Sequence, residues 1–551
     1  MRNPRYNRVI LASTALALIL AIPLVGMAKN DNPLAAVPMA ATAAAPAEQA
    51  STQAAPVTAA EATEAPAISN GTPAEPATST GQTAATEQAA APDPLASLDP
   101  ADRAVAEKIR DLLATKPDKF FASKKERAAI EAFYQNRNLA PLWLEKGVET
   151  ARAGAVVAHL KQADTDGLEP SEYKTPSFAG LEPELLAEAE LRLTRAVLTY
   201  ARHVQAGRFP YTRVSRNIEL PQAAPEPAEV LSSIAGAADA GKALDLFSPQ
   251  HEPYRKLKAA LAELRGKAVA KGDVARQIET IVVNMERWRW YARDLGNAYA
   301  MVNQPDFTLK VMHNGAQVWS TRVVIGKPSM ATPLLSETMK HITVNPTWTV
   351  PQSIVRNEYL PALAQDPTVL DRMGLRVSYN GGSVTITQPP GAGNALGRVR
   401  FNFNNRFSVF QHDTPDKHYF AHEVRAYSHG CMRVQDPAKY AEVLLNIARP
   451  AERWSAERIT RMYGTGEQNL QLQPTQIWVH LTYQTAFVDT TGKLQFRRDV
   501  YGLDSRTLAA IKSERGNIEP ERNREQEIAG SSPRKPAAPA RTGALPQPIY
   551  R

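Results

Sequence analysis

Cysteine is almost missing from this chain: Cys431 is the only one in 551 residues. That excludes an internal disulfide framework and any zinc site built on paired thiolates. Basic runs interleaved with aromatics are also missing, so no nucleic-acid interface is expected. The net charge of +8 is diffuse, and without Arg2, Arg5 and Arg8 it would be about +5. It supports no more than a mild attraction to an anionic polymer or membrane surface. Large apolar residues nearly vanish between 31 and 98, where the chain reads "AAPAEQASTQAAPVTAAEATEAPA". Such a segment cannot bury enough surface to offset its ordering entropy. Residues 29–98 are therefore expected to be a disordered linker and 513–551 a disordered tail.

After residue 27 no stretch is long and apolar enough to cross a membrane. Before it, three arginines precede "VILASTALALILAIPLVGM" (9–27), and Gly26-Met27-Ala28 offers small residues to a signal peptidase. Residues 1–28 thus read as a signal peptide, or as a membrane tether through 9–27 if left uncleaved. Either way the folded part lies outside the cytoplasm, in the periplasm. There a lone thiol is a liability unless it is buried or used.

Apolar residues recur at helical spacing from about 100 to 295, as in "ADRAVAEKIRDLLATK" and "DVARQIETIVVNMERWRWYARDL". "DTDG" (164–167) lacks the later ligands and closing Glu of a calcium loop and reads as a helix-to-helix turn. From about 305 the period becomes that of strands. "DFTLKVM-HNGA-QVWSTRVVIG" predicts a hairpin, because Asn314-Gly315 suits a two-residue turn in which both residues need positive φ. "LRVSYNGGSVTITQ" predicts another, with a short helix near 353–368 before it. "GRVRFNFNNRFSVFQHD" ends a strand-rich run at His412. The fold class is α+β: a helical N-terminal scaffold region (99–298), then a mainly β catalytic domain with short helices (299–512).

Four of the ten histidines, His412, His418, His422 and His429, lie just upstream of Cys431. A thiol attacks as thiolate and so needs a base or a positive field. His412, 19 residues earlier at a strand end, is the candidate general base and acid, with His429 as an alternative. In "SHGC", Gly430 lets the chain bend, and bends of this kind expose successive N–H groups that can hold an oxyanion. Arg433 can orient a carboxylate or lower the thiol pKa. No metal site is expected: His418 and His422 sit in a loop-like segment, and no second cysteine completes a zinc set.

"H-D-T-P" followed by "S-H-G-C-M-R" resembles the signature of YkuD-type L,D-transpeptidases. "FYQNRNLAPLWLEKG" (133–147), "ADTDGLEPSEY" (163–173), "NMERWRWYARDLG" (284–296), "VVIGKPSMATPLL" (323–335), "NPTWTVPQSI" (345–354) and "FRRDVYGLD" (496–504) are similar to segments of the larger YcbB-like branch. The resemblance covers about 100–510. It implies a cofactor-free enzyme acting on peptidoglycan stem peptides. Cys431 would attack the diaminopimelate carbonyl of a tetrapeptide, D-Ala would leave, and a diaminopimelate amine would take the acyl group to give a 3-3 crosslink. It also implies acylation by carbapenems. The same resemblance implies an oxyanion hole from the Gly430 and Cys431 N–H groups, and support from Asp413, Ser428, His429 and Arg433. It implies substrate contacts from Trp348, Arg425 and Tyr427. Many members have His-Gly where this chain has His412-Asp413, so the carbonyl that orients the imidazole is expected from the Asp413 main chain. Little chain separates "LAELR" (261–265) from "NMERWRW", so the branch's peptidoglycan-binding module is expected to be missing. A carboxypeptidase, a lipoprotein-to-wall linking enzyme and a non-catalytic wall scaffold remain as alternatives. Oligomeric state and acceptor stay open.

Overall fold

A computed structural model describes residues 93–115, 120–266 and 272–514. The signal segment 1–28, nearly all of the linker and nearly all of the tail lie outside them. Among the described residues no helix is long and apolar enough to cross a membrane.

The first part is helical: α1 (Pro100–Thr115), α2 (Lys124–Gln135), α3 (Ala151–Lys161), α4 (Pro183–Ala206), α5 (Pro227–Gly236), α6 (Glu252–Gly266) and α7 (Asp273–Trp288). The apolar spacing explains the packing. Val105, Ile109 and Leu112 put one face of α1 into the core. Helix α4 is buried along most of its length, so it is the central element. Two starts are set by hydroxyl caps, Ser123 Oγ accepting from Glu126 N–H and Thr150 Oγ1 from Ala153 N–H.

The "DTDG" turn does structural work here. Asp166 is fully buried. Its Oδ1 accepts from Ser248 Oγ (3.2 Å) and Tyr254 OH (3.0 Å), and its Oδ2 from Tyr200 OH (3.2 Å) and Lys258 Nζ (2.8 Å). Burial acts to raise its pKa, but Lys258, Arg289 and the Tyr254 hydroxyl outweigh it, and the net shift is downward. Arg289 also donates to the Asp166 carbonyl and pairs with buried Glu286 at 2.6 Å. This ties the turn to the "NMERWRW" segment.

That segment belongs to both halves. Trp288, Trp290 and Tyr291 share a core with Tyr483, Leu503 and Ile511. Arg287, wholly buried, pairs with Asp504 at 2.7 Å and lies over the Tyr483 ring. The backbone changes character near 298 while the packing continues across.

Strands then follow: β1 (Ala298–Asn303), β2 (Thr308–His313), β3 (Ala316–Gly326), β4 (Leu334–Val344), β5 (Trp348–Thr349), β6 (Arg376–Asn380), β7 (Ser383–Gln388), β8 (Val399–Phe403), β9 (Gln411–His412), β10 (Ala426–Ser428), β11 (Met432–Val434), β12 (Gln468–Gln471) and β13 (Ile477–Thr482). Helix α8 (Pro437–Ala448) lies between β11 and β12. The order β8-β9-β11-β3-β2-β1-β13-β4 returns to its start, because β8 also pairs with β4. The sheet is thus closed. Val302, Leu309, Val323, Ile342, Phe401 and Val479 fill its core with Tyr440 and Leu444 of α8. In the first hairpin His313 faces Ala316, leaving Asn314 and Gly315 as a two-residue turn with φ of 50° and 78°.

The second expected hairpin forms, and it stands apart from the main sheet. Strands β6 and β7 join β5 in a separate three-stranded sheet. With the helical turns of 352–365 they enclose their own core of Val350, Ile354, Val355, Leu370, Leu375 and Ile386. This cap is inserted between β4 and β8. Alternating apolar residues specify a strand, but not which sheet it joins.

Asp166→Ala should lower unfolding stability by on the order of 3 kcal/mol, because it strands Lys258 and several buried hydroxyls. A shift in urea midpoint smaller than a tenth of the parent's would show the network to be dispensable.

Candidate active site

Strands β9 and β11 run parallel, with His412 opposite Arg433 and Gln411 opposite Met432. This pairing brings the residue before Met432, Cys431, alongside Phe410 at the start of β9. Met432 N–H donates to the Phe410 carbonyl at 3.1 Å, which fixes the approach. Cys431 is half-buried.

The turn carrying it is held from within and beneath. Ser428 Oγ donates to the Cys431 carbonyl (2.5 Å) and accepts from Gly430 N–H (3.2 Å). Gly430 has φ of 115°, which a side chain would strain. Its carbonyl accepts from Thr332 Oγ1 at 2.7 Å, and Thr332 Oγ1 accepts from Gly326 N–H at 2.9 Å. Tyr501 OH closes the brace by donating to the Gly326 carbonyl at 2.7 Å. Position 326 must be glycine, since a Cβ there would meet the Met330 carbonyl at 2.2 Å.

His412 Nδ1 donates to the Asp413 main-chain carbonyl at 2.5 Å. A carbonyl only accepts, so the proton sits on Nδ1 and Nε2 carries the lone pair of a base. The Asp413 carboxylate does a different task. It accepts from Arg398 N–H, Thr414 N–H and Lys417 Nζ, which shapes the loop after β9. Gly397 makes room for it, because a Cβ there would lie 2.4 Å from the carboxyl group.

Burial sets the protonation states. It pushes His412 down to about 3, with the Arg433 charge acting in the same sense and the Asp413 carbonyl against it. It pushes the Cys431 thiol up to about 11, although Phe410 N–H, Arg433 and Arg400 pull the other way. The resting pair is neutral thiol and neutral imidazole. Burial thus disfavours the thiolate–imidazolium pair at rest. No hydrogen bond joins Cys431 Sγ to His412 among the described residues. Catalytic contacts of this kind commonly tighten only when substrate binds. The arrangement suits acyl transfer, with the proton moving as the sulfur attacks.

Residues 297–486 match the family model of the L,D-transpeptidase catalytic domain, YkuD, and residues 128–261 match a scaffold domain. The closed-sheet region belongs to the YkuD family. A Haemophilus influenzae protein provisionally named an L,D-transpeptidase is 26% identical over 220 residues, covering 37% of this chain and 44% of that protein. The chain thus matches less than half the length of this relative. Solved structures it resembles include an L,D-transpeptidase from Mycobacterium smegmatis, 12% identical with a TM-score of 0.17 over 34% of this chain and 58% of that one. A mutant of the Enterococcus faecium L,D-transpeptidase is 11% identical, with a TM-score of 0.16 over 34% of this chain and 50% of that one. Overlap at that level is too small to argue from.

Within this YkuD domain several expected roles change. The Gly430 N–H is taken by Ser428, so it does not serve as an oxyanion donor in this geometry. The Cys431 N–H has no partner among the described residues and remains available. Arg425 is buried, and its guanidinium donates to the Val323, His422 and Phe307 carbonyls. It is a brace and is not free for substrate. Trp348 lies in the cap, its ring edge-on to Tyr359. Tyr427 is exposed and stacks on Tyr419 at 4.9 Å. Arg433 pairs with Asp416 at 3.0 Å and lies over Tyr419, so it acts on the thiol through its field. His429 points elsewhere: its Nε2 is 2.9 Å from Glu358 of the cap. Among the described residues no group of side chains is arranged to hold a metal ion.

Arg400, Thr332 and Tyr501 escape a reading of local chemistry. Arg400 faces His412 across β8 and β9, and its charge is felt by Cys431. Only the register, which is not written in the sequence, brings it there.

Alkylation of Cys431 by iodoacetamide should be slow at pH 7 and should keep rising toward pH 11. A rate already level by pH 7 would reveal a resting thiolate instead.

Proposed function

We propose that the chain is a cysteine-dependent L,D-transpeptidase of peptidoglycan. The observation that carries this is the pairing of β9 with β11. It sets a base whose free lone pair is on Nε2 beside the strand that follows a solitary thiol.

The donor is a stem tetrapeptide. The Cys431 sulfur attacks the diaminopimelate carbonyl as His412 Nε2 takes the thiol proton, and the Cys431 N–H meets the developing oxyanion. The C–N bond to the terminal D-Ala breaks, His412 returns the proton to the leaving amine, and a thioester remains. An amine of a second stem then attacks the thioester. The C–S bond breaks, an amide forms between two third residues, and the surplus proton passes through His412 to the sulfur. Arg433 and Arg400 favour the thiolate at each step, though burial outweighs them at rest. Strained acyl groups such as carbapenems, whose ring carbonyl meets the same nucleophile, should acylate Cys431. Action on the wall places the folded part outside the cytoplasm, in keeping with the export segment at 1–28.

Intact-mass measurement after incubation with meropenem should show one covalent adduct on the full chain and none on Cys431→Ala. His412→Gln should stay folded and lose at least a hundredfold in adduct formation. An adduct on Cys431→Ala would remove the nucleophile assigned here. Release of D-Ala from a disaccharide tetrapeptide without any dimeric product would favour the carboxypeptidase instead.

A further inference from the structure

The helical scaffold holds a cavity that the acylation chemistry does not use. It encloses about 220 Å³ between the start of α2, the second half of α4 and the segment leading into α5. Leu198, Pro225, Pro227 and Val230 give it an apolar wall. Leu198 and Val230 also belong to the helical core, so the wall is fixed by packing.

Arg202 lines the same cavity and is chemically unfinished. An enclosed arginine ordinarily gives its N–H groups to acceptors, as Arg425 does to three carbonyls. Arg202 Nε is buried without an acceptor, and its guanidinium makes no hydrogen bond or ion pair among the described residues. Its charge is still felt nearby. After burial, it is the next cause holding the neighbouring His203 well below the usual imidazole range. Glu126 faces the cavity too, but its Oε2 accepts from the Ala122 N–H at 2.9 Å, and no ion pair joins it to Arg202. Lys125, which is exposed, is committed to Glu226 at 2.7 Å.

These features narrow the ligand. A vacant guanidinium fork suits a planar oxyanion. The buried Glu126 carboxylate, of like charge, disfavours a dianion such as phosphate. The apolar wall calls for an anion with a small apolar body. The volume lies below the roughly 300–1,000 Å³ of drug-sized sites, so it admits about one or two small residues and no sugar chain. The starts of α2, capped by Ser123, and of α5, at Pro227, border the cavity and add partial positive charge.

We propose that this cavity binds the free C-terminal carboxylate of a peptide whose last residue is small and apolar, the kind of end that a wall stem carries. That the ligand is a carboxylate follows from the cavity; that it ends a stem rests on the transpeptidase reading above. Arg202 takes both carboxylate oxygens through its fork, and the last side chain lies against Leu198, Pro225 and Val230. The scaffold thereby holds one stem while Cys431 works on others, and the enzyme stays on the polymer between turnovers.

The test is calorimetric titration of the full chain carrying Cys431→Ala, so that no acyl transfer consumes the ligand. Four ligands are compared: acetyl-D-Ala-D-Ala, its C-terminal amide, D-alanine and inorganic phosphate. The acetylated acid should bind at least tenfold tighter than each of the others. Adding Arg202→Met should weaken it at least tenfold. Adding Arg202→Lys should weaken it less, because an ammonium restores the charge but not the fork. Ala224→Trp, which fills the cavity and leaves the guanidinium in place, should also weaken it at least tenfold. No binding of the acid, equal binding of acid and amide, or an affinity within twofold of the parent's in Arg202→Met or in Ala224→Trp overturns the proposal. D-Alanine bound as tightly as the peptide overturns the peptide end in favour of a site for the released amino acid. Phosphate bound as tightly overturns it in favour of a general anion site. None of these titrations uses Cys431, so a native chain that forms no meropenem adduct overturns the transpeptidase reading without deciding the carboxylate site.

Discussion

Two residues of parallel pairing, Gln411–His412 against Met432–Arg433, are what the site depends on. A parallel pair cannot be joined by a tight turn, so the chain must leave β9, cross over and return. The crossover carries the Lys417–Ala421 helical turn, Tyr419, and then β10, which pairs parallel with β3 before the chain bends at Gly430. Every brace around Cys431 serves this return. Ser428 ties the turn to itself, Thr332 and Tyr501 hold it from below, and the Asp413 carboxylate holds the departing loop. Were the pairing to slip by one residue, His412 would turn to the other face and the base would be lost.

The same enclosure decides the electrostatics. Burial is the largest cause of both shifts, His412 down and Cys431 up. Two nearby arginines favour the thiolate, yet Arg433 is shared with Asp416 and Arg400 is itself desolvated. The site therefore keeps the proton on sulfur until something stabilises the charge that appears on attack. In the reaction proposed above, an incoming carbonyl would do so by moving that charge from sulfur onto an oxygen facing the unpaired Cys431 N–H. The low polarity that makes the resting thiolate costly makes that hydrogen bond stronger.

Much of this was legible in the residues. The lone Cys431, the upstream His412 and the Asn314-Gly315 turn each have a local cause, in thiol chemistry, spacing or positive φ. The orienting role of the Asp413 carbonyl follows from a main-chain group that every residue type has, so it survives the change from glycine. What escaped depends on non-local register. The "SYNGGSV" hairpin has the pattern of any hairpin and gives no sign of joining a cap. Arg425 looks like a substrate ligand by charge and nearness to Cys431, but three backbone carbonyls claim it. Gly430 is needed for its φ, while its N–H is spent on the Ser428 hydroxyl two residues back.

A protonated resting thiol also answers the oddity of a single cysteine in a chain read as exported. Oxidation and disulfide exchange both run through the thiolate. A thiol held near 11 exposes little thiolate at neutral pH, even in an oxidising compartment. The absence of any other cysteine removes the internal partner with which it could form a bridge. A nucleophile that is dormant by burial and woken by its substrate can thus persist where an activated one would be consumed.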